Sequence, residues 1–224
     1  MLRAATLALF LTLLPACGPT HRAARGMGGA LDEDLSARLA SRAGDLLGET
    51  GPFRVGEARF QDDCSGFVAA VYEAEGLPLR RLMSRVAPHE SSGVAAAYRA
   101  ARAYGIVFGG GGSWPAPGDL VFFHDTYDRN RNRRLDDRFT HVGIVERIQD
   151  GSVTFLHRGD KAVARGTLTL AHAGAARGAD GSVLNSLLRK KRSGLPGAQT
   201  LAGQLFAGYG RIEPARVPSE LARR

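Results

Sequence analysis

Cysteine is almost absent. Cys17 and Cys64 are the two in 224 residues, so a disulfide framework is excluded and one bridge is the maximum. Aromatics are sparse at 7%, with a single Trp, and no apolar run reaches the roughly 18 residues that a membrane-spanning helix requires. No internal repeat and no heptad pattern runs through the chain, which excludes solenoid and coiled-coil readings. Acidic residues are outnumbered 22 to 30 by Lys and Arg, giving a net charge of +8 and a pI near 10.2. That balance favours anionic surroundings such as nucleic acid, anionic lipid or an acidic polymer, and does not choose among them. What is present is 44% hydrophobic residues over 224 positions, enough for one substantial core.

The first residues point to export. Met1-Leu2-Arg3 is a short positive start, and Ala4 to Leu14 is an uncharged, mostly apolar run of signal-peptide length. Leu14-Pro15-Ala16-Cys17 resembles the lipobox of bacterial lipoproteins, with cleavage before Cys17 and acylation of its thiol. Residues 1–16 then form the signal peptide, and their loss removes one positive charge, Arg3, so the basic character stays with the exported domain. An acylated Cys17 leaves Cys64 without an intrachain partner in an oxidising compartment. Gly18 to Ala30, rich in Gly and poor in core formers, reads with Cys17 as a lipidated tether over residues 17–30.

Folded structure is expected over residues 31–213, with an insertion at 124–140 and a loose tail at 214–224. Leu35, Leu39, Ala43, Leu46 and Leu47 recur at helical spacing between Asp32 and Gly48. A second helix opens at Cys64 and runs to Glu75 before Gly76 and Pro78, and a third covers Val94 to Ala103. Beyond Gly109 to Gly112 the texture changes to strand patterns at 119–123, 141–148, 152–157 and 207–212. Helices followed by strands predict an α+β fold. Gln149-Asp150-Gly151 reads as a hairpin turn that sets His141 and His157 on adjacent antiparallel strands. Arg189-Lys190-Lys191-Arg192 reads as a basic cluster on a solvated face.

Chemistry gathers on three of these residues. A thiol at a helix start meets unpaired backbone N–H groups and the positive end of the dipole, which lower its pKa and can hold an oxyanion. Cys64 has that position, and Gly66 is expected to leave room for a substrate. His141 at a strand start is a candidate general base, and His157, sixteen residues on, a candidate to orient it. Zinc on the same three side chains is the rival chemistry; a Cys that opens a helix favours acyl transfer, so no metal or cofactor is expected. His124 and Asp125 are rivals for the orienting role, while His21, His89 and His172 have no supporting motif.

Three segments in order, Asp63-Cys64-Ser65-Gly66-Phe67-Val68, Pro117-Gly118-Asp119-Leu120-Val121-Phe122-Phe123 and His141-Val142-Gly143-Ile144-Val145, resemble the NlpC-type family of papain-like cell-wall cysteine peptidases. The resemblance spans residues 31–212, with looser matching after His157. It implies a circularly rearranged papain-like fold in which N-terminal helices pack on an antiparallel sheet. Cys64 would be the nucleophile, His141 the base and His157 the orienting residue. Peptidoglycan stem peptides are the implied substrate, cut between D-glutamate and the diamino acid. Asp63, Ser65 and Phe53 are the implied substrate contacts, although Asp63 reads equally as a helix cap and Ser65 as structural. Where the family carries a Tyr upstream of the nucleophile this chain has Phe53, so that hydroxyl is missing.

The insertion places oxygen side chains, Asp128, Asn130, Asn132 and Asp136, at positions 1, 3, 5 and 9 of an EF-hand-like loop. Arg133 stands where that loop needs Gly and Phe139 where it needs Glu, and five arginines lie between 129 and 138. Calcium is therefore disfavoured; an Arg-rich surface loop and a basic rim for anionic glycan or stem-peptide carboxylates are the other readings. Together these features predict a monomeric, lipid-anchored wall hydrolase facing the periplasm, by default on the outer membrane, with no nucleic-acid partner. A non-catalytic wall-binding lipoprotein, or an amidase or acyltransferase on the same triad, are the alternatives.

Overall fold

The computed structural model describes residues 33–109, 111–189 and 195–222. The expected signal peptide, Cys17, the expected tether and three of the four basic residues at 189–192 lie outside them. Among the described residues no helix is long and apolar enough to cross a membrane.

The helical segments follow their apolar spacing. Helix α1 (Glu33–Asp45) buries Leu35, Leu39 and Ala43, and α2 (Cys64–Ala74) is buried continuously from Ser65 to Tyr72. Between α1 and α2 a short hairpin, β1 (Phe53–Val55) with β2 (Ala58–Phe60), pairs Phe53 with Phe60. An additional helix, α3 (Leu79–Val86), follows Pro78, which caps it without needing an N–H. Helix α4 (Gly93–Tyr104) starts where the Ser92 hydroxyl accepts the Ala95 N–H.

Six strands form one antiparallel sheet in the order β3-β8-β4-β5-β6-β7. They are β3 (Gly105–Phe108), β4 (Leu120–Phe123), β5 (His141–Gln149), β6 (Ser152–Arg158), β7 (Val163–Leu168) and β8 (Phe206–Ile212). The last follows directly on a single turn, α5 (Ala202–Leu205). Alternation along β4 explains how both faces are covered. Leu120 and Phe122 join the core under the helices, with Phe67, Val142, Ile144 and Leu156. Val121 and Phe123 join a second core with Val145, Phe155, Leu205 and Tyr209. The α+β class and the packing of helices on an antiparallel sheet are those the sequence led us to expect.

One polar anchor crosses this apolar interior. Asp119, fully buried, takes a bidentate pair of 2.8 Å bonds from Arg211 of β8 and also accepts the Ala116 N–H. The Tyr72 hydroxyl donates to the Gly118 carbonyl at 2.6 Å, which ties α2 to the same turn. The Pro117-Gly118-Asp119 motif therefore serves architecture, not chemistry.

Two expectations are corrected. Residues from Pro214 were expected to trail loosely, yet Pro214–Arg216 forms a 3-10 turn and Ser219–Ala222 a short helix, α6. Val217 and Leu221 pack on the core and Arg216 donates to the Gly105 carbonyl, because this segment has apolar surface to bury. Arg189 was assigned to a solvated face; it is 2% exposed and donates to the Asp125 carbonyl, holding the base of the insertion.

Candidate active site

Asp63 caps α2: its Oδ1 accepts the Gly66 N–H at 2.7 Å and the Ser65 hydroxyl at 2.8 Å. Ser65 is 8% exposed and committed to that bond, so it is a structural residue and not a substrate contact. Gly66 is small for a reason other than substrate access. A Cβ there would lie 2.1 Å from the Gln61 carbonyl oxygen, so the missing side chain lets the approaching strand fold tightly against the helix start. Asp62 continues this bracing with 2.6 and 3.1 Å bonds from Arg158, the residue after His157. The start of the Cys64 helix is thereby fastened to the end of β6.

The strand side is built by the hairpin. Asp150 and Gly151 both have positive φ, and Gln149 pairs with Ser152, which gives the two-residue turn the sequence implied. His141 and His157 then meet directly, His141 Nε2 to His157 Nδ1 at 2.8 Å. Gly143 permits this approach, since a Cβ there would sit 2.7 Å from the Leu156 carbonyl and 3.3 Å from the His157 Cβ. Burial holds both imidazoles neutral: it pushes His141 well below its usual value, assisted by His157, and His157 down to about 4. The nearby Asp160 carboxylate opposes that fall at His157.

A neutral pair at this distance has one N–H donated between the rings. With His157 Nδ1 as acceptor, His141 carries its proton on Nε2 and its Nδ1 is free to take another. Among the described residues no group of three or more His, Cys, Asp or Glu is arranged to hold a metal.

Cys64 departs from its expected state. Its thiol is buried, and burial pushes it up to about 12, outweighing the hydrogen bond from the Val142 backbone that favours thiolate; the Asp63 charge raises it further. At rest the sulfur is therefore a thiol, close to the backbone of Val142, the neighbour of His141 in β5. Helix position alone led us to expect the opposite pKa direction, because sequence does not reveal desolvation.

A cleft of about 980 Å³ opens over the histidines, lined by Tyr127, His141, His157, Asp160, Leu187 and Arg189 among others. Phe53 takes no part in it. It is 5% exposed and packs on Phe67 at 5.7 Å between ring centroids, so this expected substrate contact is a core residue. The rivals for the orienting role are also placed: His124 Nδ1 accepts the Phe139 N–H at 2.9 Å, and Asp125 accepts the Asp137 N–H. Both hold the insertion. Its oxygens are likewise turned on its own backbone, Asp128 accepting from Asn132 and Arg133 and Asn130 from Asn132. Tyr127 is a cleft residue that sequence reasoning missed, and its position fourteen residues before β5 begins, inside an aperiodic segment, gave no signal beyond an aromatic near a His-bearing strand.

Comparisons with known proteins agree with these residues. The CHAP domain family matches residues 55–159. No curated protein matches the chain significantly. A crystal structure from Staphylococcus aureus, described as similar to lipoprotein, NLP/P60 family, overlays with a TM-score of 0.42 and 18% sequence identity, covering 84% of this chain. This chain spans 44% of that protein's length. Cys64, His141 and His157 all fall within the stretch that is similar to the CHAP domain family.

Proposed function

We propose that the protein is a peptidoglycan endopeptidase that hydrolyses an amide bond of the wall stem peptide, between D-glutamate and the diamino acid, through a thioester on Cys64. The observation that carries this reading is the 2.8 Å bond between His141 Nε2 and His157 Nδ1, which leaves His141 Nδ1 as the acceptor for a thiol proton. The S–H proton passes to His141 Nδ1 as sulfur bonds to the carbonyl carbon, and the carbonyl oxygen becomes the oxyanion. Backbone N–H groups at the start of α2 are placed to stabilise it. Collapse breaks the C–N bond, and the leaving amine takes the proton from His141. Water then gives a proton to His141, attacks the thioester, and releases the carboxylic acid as the proton returns to Cys64 sulfur. His157 keeps His141 in the working tautomer throughout and stabilises its charged form as acceptor.

The neutral resting pair has a purpose in this scheme. A buried thiol next to neutral imidazoles is protected from oxidation until substrate arrives, at the cost of a proton transfer within the catalytic step. Lipidation at Cys17, a tether over residues 17–30 and an envelope location facing the periplasm complete the reading, and the +7 left after loss of Arg3 (29 − 22) suits an anionic wall. Mass spectrometry of fragments released from purified peptidoglycan tests it: the protein releases stem-peptide fragments and its Cys64→Ala variant releases none. If both only bind the sacculus, the chain is a binding lipoprotein; products joined to an added amine indicate a transferase.

A further inference from the structure

The insertion is anchored far more firmly than a surface loop requires. Thr126 donates both its backbone N–H and its hydroxyl to Thr140 Oγ1, each at 2.9 Å and buried. Asp125 N–H donates to the Asp137 carbonyl while Asp137 N–H donates to Asp125 Oδ1, and the Arg129 N–H donates to Asp137 Oδ2. These bonds lie on both sides of one residue, Tyr127, and fix its backbone. The side chain is 51% exposed, so the clamp does not serve to bury it; it projects into the cleft that holds His141 and His157. Its phenol is held above its ordinary value chiefly by partial burial, with the Asp137 and Asp63 carboxylates acting the same way and Arg129 opposing. Tyr127 thus lines the same cleft as the two histidines. A phenol that keeps its proton in such surroundings is a donor at every working pH.

We propose that Tyr127 is a hydrogen-bond donor of the active site, its O–H directed to the negative charge that forms on the Cys64 sulfur and on the oxygen of the acyl intermediate. This rests on the cysteine-nucleophile reading above and adds to it a group from outside the three sequence motifs. No bond to Tyr127 is made or broken; its proton stays on the phenol and the donated bond shortens as charge builds. The insertion is therefore part of the catalytic apparatus, since it carries this donor to the cleft.

The test uses Tyr127→Phe, which keeps the ring and removes only the hydroxyl, so the fold is retained. The first readout is the pH dependence of Cys64 alkylation by iodoacetamide in the absence of any wall substrate. The profile of Tyr127→Phe shifts to higher pH and the rate at pH 8 falls at least threefold. The second is turnover of a synthetic stem peptide, where kcat falls about 10- to 100-fold with KM little changed, the signature of an interaction made in the transition state. Identical alkylation profiles for the two proteins overturn the proposal, as does an unchanged kcat. A protein that cleaves no wall peptide at all defeats the hydrolase reading alone, because the alkylation profile still decides the place of Tyr127.

Discussion

The hairpin β5–β6 and the insertion over residues 124–140 face one cleft but are held by different forces. The hairpin is fixed by its backbone ladder and by buried alternation, with Val142, Ile144, Val145, Phe155 and Leu156 all inaccessible to solvent. The insertion has no ladder. Its backbone visits positive φ at Asp125, Arg131, Arg133 and Phe139, and side-chain oxygens of Asp125, Asp128, Asn130, Asn132 and Asp137 hold it there. A ladder positions the histidine pair with little tolerance, whereas the side-chain clamp presents Tyr127 and a crown of arginines at the rim. Perturbing the two regions separately tells which one governs folding and which governs chemistry.

The largest effect is expected from the polar anchor of the sheet. Asp119→Ala leaves Arg211 buried without its carboxylate and is expected to cost about 3 to 5 kcal/mol, read as a fall in the denaturation midpoint. A loss under about 1 kcal/mol would mean that the pair contributes little to the sheet. Next comes pH. The folded chain keeps His157 neutral down to about 4, while the unfolded chain protonates it near 6.5, so the unfolded state binds more protons between these values. Stability is full above pH 6.5 and falls as pH drops towards 4, by on the order of 3 kcal/mol for this group. Denaturation of the protein and of His157→Asn at pH 7 and pH 4.5 checks the sign, and equal losses in both would assign the effect elsewhere.

A smaller effect is expected from Gly143→Ala, whose methyl meets the Leu156 carbonyl and must push β6 away. Stability should fall by about 1 to 3 kcal/mol, and turnover by about a hundredfold, because the His141–His157 bond tolerates little displacement. Equal stability loss with intact turnover would show that the pair is not needed at 2.8 Å. The smallest is Thr140→Val, which removes the acceptor of Thr126 and should cost about 1 to 3 kcal/mol while disordering Tyr127. Its turnover should then resemble that of Tyr127→Phe, while the alkylation profile of a displaced insertion with an intact hairpin shows how far the two regions are independent.

Much of the hairpin was legible in the sequence. Strand alternation on either side of Asp150-Gly151 gave the turn and set His141 and His157 on adjacent strands, since each rests on local pattern, whereas the register at the histidines also depends on a bulge between Val145 and Arg147. The helix starting at Cys64 was legible for the same reason. What escaped depends on tertiary surroundings. The thiol of Cys64 is raised by burial under other elements, Phe53 turns into the core, and Arg189 reaches inward to the insertion, none of which periodicity encodes. Strand β7 was missed because Arg165 and Gly166 break its apolar pattern, Gly166 making room for the Phe155 ring. The insertion was read from its residue types as a rim or a loop of oxygen ligands; its clamp emerges only once Thr126 and Thr140 are seen together.

The most direct test of the central claim is the mass of the protein itself, acid-quenched during turnover of a wall stem peptide. The account predicts an adduct equal to the acyl half of the cleaved peptide, located on Cys64 and absent from Cys64→Ala. Release of the same products by Cys64→Ala, with no adduct in either protein, would contradict it.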